Sequence, residues 1–217
     1  MTEKMKTIGI HKSEDNFSLV EQTMPIASGH DLLVKIEAIA INPVDTKVRA
    51  KLTEESTQAR ILGWDAMGIV KAVGDGTSLF KVGDKVFYAG DITRPGSYAS
   101  HQLVDERIVG KAPKSLSSEE AAVMPLTSIT AWEALFSRLK INPKQDQGRT
   151  ILIIGGAGGV GSIAIQLAKS VAKLNVVSTA SQEKSQAWCQ QLGADYIINH
   201  RYDLVEQYQQ LAIAEPD

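Results

Sequence analysis

The chain has 217 residues, 43% of them hydrophobic and 22% charged, with a formal net charge of −2. These values fit an ordinary soluble globular chain forming one large domain or two small ones. They exclude the clustered Lys and Arg of a nucleic-acid surface, and no apolar run approaches the roughly 18 residues of a membrane-spanning helix.

The opening MTEKMKTIGI lacks the apolar core of a secretory signal. The single cysteine, Cys189, rules out an intrachain disulfide and reads as a packing residue on a helix, so a cytoplasmic location is expected. The first 110 residues read as β-rich. Apolar or alternating runs occupy Lys6–Ile10, Asp31–Ile41, Ala66–Val73, Lys85–Tyr88 and Ser97–Val104. Turn signals separate them at Ser28-Gly29, Gly74-Asp75-Gly76, Val82-Gly83-Asp84 and Arg94-Pro95-Gly96. Short strands punctuated in this way predict a small barrel-like domain, with one or two helical turns inserted at Pro43–Ala50.

The pattern changes at Ser117-Ser118-Glu119-Glu120, a capping box with Ser117 at the cap and Glu120 three residues on. Pro125 interrupts that helix, and a second is predicted over Thr127–Leu139, with Ile129, Trp132, Leu135 and Phe136 on its apolar side; Asn142-Pro143 ends it. Strand Ile151–Ile154, helix Ser162–Ala172, strand Leu174–Thr179, helix Gln182–Leu192, strand Tyr196–Ile198 and an amphipathic stretch Leu204–Ile213 follow. Strand–helix alternation of this kind predicts an α/β unit with a parallel sheet.

Within it, Gly156, Gly158 and Gly161 spell G-x-G-x-x-G between a strand and a helix, the context that turns a weak motif into a dinucleotide-binding expectation. Gly156 is expected to allow the turn, Gly158 to admit the pyrophosphate against the backbone, and Gly161 to bring helix close to strand. Gly159 and Val160 complete the cofactor-binding turn. A tight corner without ligand is the alternative. An NAD site places an acid at the end of the second strand, for the ribose 2′-hydroxyl. Here that strand ends Val177-Ser178-Thr179-Ala180-Ser181. Ser181 leaves room for a 2′-phosphate and Lys184 can pair with it, unless Lys184 is merely a solvated helix lysine. NADP is therefore expected over NAD.

The string Ile151–Lys169, the upstream PLTSITAWEAL starting at Pro125, Asn42-Pro43-Val44-Asp45, Gly63-Trp64-Asp65-Ala66-Met67-Gly68 and Lys81-Val82-Gly83-Asp84-Lys85-Val86 together resemble the medium-chain dehydrogenase/reductase superfamily. The likeness is to its quinone oxidoreductase branch, which includes zinc-type alcohol dehydrogenase-like proteins. It implies a GroES-like β-barrel domain over residues 1–124 and the N-terminal half of an NADP-binding Rossmann domain over 125–217, with the active site in the cleft between them. It also implies that Asn42 and Asp45 lie by the nicotinamide and substrate, that Thr130 contacts the nicotinamide, and that His200, in place of a Tyr, lies by the adenosine phosphate. Helix capping is the competing role for Asn42 and Asp45. Lys47 stands where relatives often carry Tyr, and Trp64 reads equally as pocket wall or core filling.

Zinc-dependent members of the superfamily place Cys, His and Cys ligands at positions where this chain has Asn42, Trp64 and the neighbourhood of Leu126. Its four histidines, His11, His30, His101 and His200, are scattered, so no metal site is expected. Without a metal to stabilise an alkoxide, the resemblance implies hydride transfer from NADPH to a small-molecule quinone or α,β-unsaturated carbonyl. The alternatives are a zinc-dependent alcohol dehydrogenase and a non-catalytic dinucleotide-binding protein. The full-length relative is expected to be a homodimer. The sequence ends after the third strand of the usual 3-2-1-4-5-6 order, which reads as a fragment with the first Rossmann strand at an edge.

Overall fold

The computed structural model describes residues 3–12, 16–52, 59–212 and 216. The chain folds as two compact units, Met1–Leu126 and Thr127–Asp217. No helix among the described residues is long and apolar enough to cross a membrane.

The first unit is antiparallel. Strands β1 (Lys4–Ile10), β2 (Ser18–Thr23) and β4 (Arg60–Ile61) form one sheet in the order β2-β1-β4. Strands β3 (Asp31–Ala40), β5 (Asp65–Val73), β6 (Lys85–Tyr88), β7 (His101–Asp105) and β8 (Val109–Lys111) form the other, in the order β7-β3-β5-β6-β8. The expected barrel-like domain is thus built from two antiparallel sheets. An isolated bridge, Thr7 to Ala99, links the smaller sheet to the segment before β7. The larger sheet buries Leu32, Val34, Ala66, Val70, Val86, Tyr88 and Val104. Irregular register between β3 and β5, at Leu33/Val34 and Ile36/Ala38, bends that pair.

One strand expectation needs correction, and three strands went unread. The run Ser97–Val104 is strand only from His101, because Gly96, Ser97 and Tyr98 give their amides to the carbonyls of Ile61, Gly63 and Leu62. Strands β2, β4 and β8 had no expectation; β2 is mostly exposed, so burial imposes little alternation on it.

Helix α1 (Pro43–Ala50) has Asn42 at its N-cap and Pro43 in its first turn. Its Val44 and Val48, one turn apart, pack on a small buried cluster of Ile10, Leu62 and Trp64. Helix α2 (Ser118–Ala122) carries the expected capping box, with Ser117 Oγ accepting from Glu120 N and Glu120 Oε2 accepting from Ser117 N. Helix α3 (Pro125–Trp132) begins at the interrupting proline. It does not run on as α-helix to Leu139. Glu133–Arg138 is π-helical, Leu139 N donating to Ala134 O, while Leu135 stays buried and Trp132 meets Phe136 in a tilted pair with ring centroids 4.5 Å apart.

The second unit is a parallel sheet, β9 (Thr150–Ile153), β10 (Asn175–Thr179) and β11 (Tyr196–Ile198), in the order β11-β10-β9. Strand β9 is therefore an edge among the described strands. It stops one residue before Ile154, which is 72% exposed in the following turn. Helices α4 (Gly159–Ser170) and α5 (Glu183–Gln191) cover one face, where Ile165, Ala168 and Cys189 meet Val176 and Ile153. Helix α6 (Leu204–Gln210) covers the other, where Tyr208 meets Val177 and Ile198. Strand β10 is buried on both faces, as an apolar central strand requires. Part of the amphipathic stretch expected to reach Ile213 lies outside the described residues.

Ile165 is fully buried at the centre of this unit. Ile165→Ala is expected to cost about 2–5 kcal/mol in urea denaturation, against about 0.5 kcal/mol or less for Leu19→Ala on exposed β2. Equal losses for the two would contradict this packing.

Candidate functional site

In the first unit the polar residues gather around the start of α1. Asp45, in its first turn, accepts a hydrogen bond from the Asn42 backbone N–H, so both residues do cap the helix. The Asn42 side chain goes elsewhere. Its Nδ2 donates to Asp65 Oδ2 at 2.8 Å, while Asp65 Oδ1 accepts from the Leu126 amide at 2.9 Å. Asp65 is wholly buried at the head of β5. Burial pushes its carboxyl up to about 6; the Asn42 and Leu126 hydrogen bonds work against that, and the charge of Asp45 adds to it. Burial also raises Asp45, whose Oδ1 has no hydrogen-bond partner. Tyr98 is pushed up to about 12, first by burial and then by Asp45. Trp64 is core and donates its indole N–H to the Asp91 carbonyl at 3.1 Å. Lys47 is exposed on α1.

Asp65 entered the sequence reading only as part of a motif. The available signal was an acid opening a strand whose next five residues, Ala66–Val70, are apolar and largely buried.

This donor set does not suit zinc, which takes Cys, His and carboxylate ligands. Asn42 offers an amide already engaged with Asp65, Asp65 uses both oxygens, and Trp64 offers no lone pair. Among the described residues, no group of three or more His, Cys, Asp or Glu converges to hold a metal.

In the second unit the glycine turn follows β9 and Gly158 caps α4. The residue with positive φ is Gly155, at 71°, so Gly155 rather than Gly156 makes the turn possible. Gly156 is fixed by space instead: an added Cβ would stand 1.8 Å from Ser178 Oγ on β10. At Gly161 it would stand 2.4 Å from the Gly155 carbonyl, so the helix approaches the turn closely. Gly158 is exposed, and its nearest obstacle is the Gly155 carbonyl at 3.3 Å. The turn is stitched to the end of β10 by Gly155 N to Thr179 Oγ1 at 2.8 Å and Gly156 N to the Thr179 carbonyl at 3.2 Å. Ser162 N to Gly158 O at 2.8 Å is the opening helical bond, so the amides of Gly159, Val160 and Gly161 precede it.

Ser181, half-buried, lies two residues beyond β10; Lys184 is exposed in the first turn of α5; His200 is exposed two residues beyond β11. Because the strands are parallel, the glycine turn, Ser181, Lys184 and His200 all fall at their carboxyl ends, on one edge of the sheet. Thr130 is exposed on α3, one turn from Thr127, whose Cγ2 would lie 3.2 Å from a Cβ at Gly159. An open glycine and three first-turn amides suit a dinucleotide pyrophosphate.

Residues 28–114 match the alcohol dehydrogenase GroES-like domain family, and residues 159–216 the zinc-binding dehydrogenase family. A zinc-type alcohol dehydrogenase-like protein of Staphylococcus aureus (strain COL) is 48% identical over 219 residues, covering 97% of this chain and 65% of that protein. A candidate zinc-dependent alcohol dehydrogenase of Rhizobium etli CFN 42 superposes with a TM-score of 0.91 at 46% identity, covering 100% of this chain and 65% of the other. Escherichia coli quinone oxidoreductase, crystallised with NADPH, gives a TM-score of 0.75 at 26% identity, covering 97% and 63%. The chain thus spans just under two thirds of the length of these relatives.

The raised Asp65 carboxyl sets a pH dependence. Below about pH 4 it is protonated in both folded and unfolded chains. Between there and its folded value of about 6 only the unfolded chain ionises, so stability falls as pH rises, and the loss is constant above. Comparing urea melts across that range, wild type should lose stability relative to Asp65→Asn as pH rises to about 6. A difference that grows in favour of wild type would contradict the burial argument.

Proposed function

This chain belongs to the medium-chain dehydrogenase/reductase superfamily, and on that footing we propose that it serves a zinc-independent, NADPH-dependent reductase of small-molecule quinones or α,β-unsaturated carbonyls. The observation that carries the reading is the sheet edge where the glycine turn meets the end of β10. The turn leaves Gly158 open and the amides of Gly159, Val160 and Gly161 ahead of the helical ladder. The strand ends Ser178-Thr179-Ala180-Ser181 with no acid to repel a phosphate. The first-turn amides take the pyrophosphate, Lys184 pairs with the 2′-phosphate from the first turn of α5, Ser181 leaves it room, and His200 lies by the adenosine end. Thr130 contacts the nicotinamide.

Reduced nicotinamide, when bound, supplies the hydride. The protein orients an acceptor that is already electrophilic. Asn42 and Asp45 are the polar contacts on the substrate side, and Asp65 holds Asn42 in place by the 2.8 Å hydrogen bond. The zinc-independent reading rests on the donors: an engaged amide, an indole and a carboxylate whose two oxygens are both in use.

Calorimetric titration of the chain should give NADPH an affinity about ten times that of NADH, as expected when a charge-assisted pair is gained. Lys184→Ala should remove most of that ratio while leaving NADH binding unchanged. In turnover assays of a protein of its relatives' full length that carries this chain, NADPH oxidation should accompany reduction of a quinone or enone and be indifferent to added chelator. Equal affinity for the two cofactors would sink the NADP preference, and stoichiometric zinc by elemental analysis, with turnover lost on chelation, would favour the alcohol dehydrogenase reading.

A further inference from the structure

Asp65 is sealed from water, yet neither of its hydrogen-bond partners is a cation: one is the side-chain amide of Asn42 and the other the backbone amide of Leu126. These two partners respond differently to a proton. The Leu126 N–H is a fixed donor, so Oδ1 must remain an acceptor in either state. A proton on Oδ2, the oxygen facing Asn42, is the arrangement that leaves the carbonyl oxygen, the better acceptor, to Leu126. In a site sealed from water that O–H needs an acceptor, and Nδ2 is a donor only. A half-turn of the Asn42 amide replaces Nδ2 with Oδ1 and restores the bond with its direction reversed.

We infer that the proton on Asp65 sets the rotation of the Asn42 amide, so that Asn42 offers the substrate its carbonyl when Asp65 is ionised and its NH2 when Asp65 is protonated. Asp65 is then a positioning residue that acts through Asn42. This rests on the proposed role of Asn42 as a substrate contact. A quinone or enone carbonyl is a hydrogen-bond acceptor, so the protonated state is the one that holds it.

The surroundings favour a proton held at mild pH. Burial dominates, and Asp45, on α1, is the charge that acts on Asp65. Tyr98, before β7, is pushed up to about 12, and burial drives Tyr88, on β6 beside Ala66, higher still; both stay neutral. Asp45 is the competing proton holder, since its Oδ1 is buried without a partner. It touches Asn42 only at the backbone N–H, however, so its own protonation leaves the side-chain amide where it is.

Asp65→Asn imitates the protonated state. The Leu126 N–H claims the carbonyl of the new amide, whose NH2 then faces Asn42 and demands its Oδ1. The test follows the Asn42 side-chain amide and the Asp65 carboxyl carbon by NMR in the 217-residue chain, and needs no turnover. Both signals should move together with a midpoint near 6. In Asp65→Asn the Asn42 signals should sit at their low-pH positions throughout. In Asp45→Asn the joint transition should persist with a lower midpoint, because the neighbouring charge is gone.

Asn42 signals that stay still while Asp65 titrates, or that lose their transition in Asp45→Asn, overturn the inference; the second arm decides alone if Asp65→Asn does not fold. Where turnover is measurable, kcat/KM should fall with rising pH in wild type and stay flat in Asp65→Asn. Coupled titration in a protein of its relatives' full length that shows no turnover would refute the reductase reading and leave the amide switch standing, whereas turnover without coupled titration would do the reverse.

Discussion

A single carboxylate that never meets water ties the first unit together. Asp65 opens strand β5, takes the side chain of Asn42 from the cap of α1, and takes the Leu126 amide from the first turn of α3. Three elements distant in sequence thus converge on two oxygen atoms. In a buried site an acceptor left unpaired would cost free energy on the scale of a lost hydrogen bond. The capping pair Asn42 and Asp45 fixes where α1 begins, Val44 and Val48 fix which way it lies, and Asp65 ties the Asn42 side chain to β5.

The second unit is organised by close approach. Parallel pairing brings the carboxyl ends of β9, β10 and β11 to one edge, and residues from three separated stretches of sequence collect there. The turn after β9 is narrow because Gly161 lets α4 come within van der Waals reach of Gly155 and Gly156. Thr179 ties the turn to the neighbouring strand through both its side chain and its carbonyl. Chemistry at this edge is therefore a matter of exposed backbone and a few strand-end side chains.

Much of this was legible in the sequence where a local rule and burial agree. The three parallel strands, their helices and the capping box at Ser117 fall within a few residues of expectation, because apolar periodicity and capping chemistry both reflect contacts the fold makes. Legibility failed where a segment answers to something distant. Ser97 and Tyr98 look like strand but bond to the 61–63 loop. Strand β2 hides because its side chains are largely exposed. The glycine motif marked the correct turn but assigned Gly156 the role that Gly155 fills. Asp65 could have been singled out, since a lone acid at the head of a buried strand needs partners, but its partners lie 23 and 61 residues away.

The 1.8 Å that separates a Gly156 Cβ from Ser178 Oγ also bears on how such a sequence can change over time. The hydroxyl itself is buried and makes no hydrogen bond, so its loss gives up little. A side chain at 156 is blocked while that hydroxyl is present, and becomes less hindered only once 178 has shrunk. Lineages of this fold can then shrink the buried 178 first and accept a side chain at 156 only afterwards, so the order of the two events matters. The invariance a comparison might credit to cofactor binding at Gly156 would owe part of its strength to a neighbour on the adjacent strand.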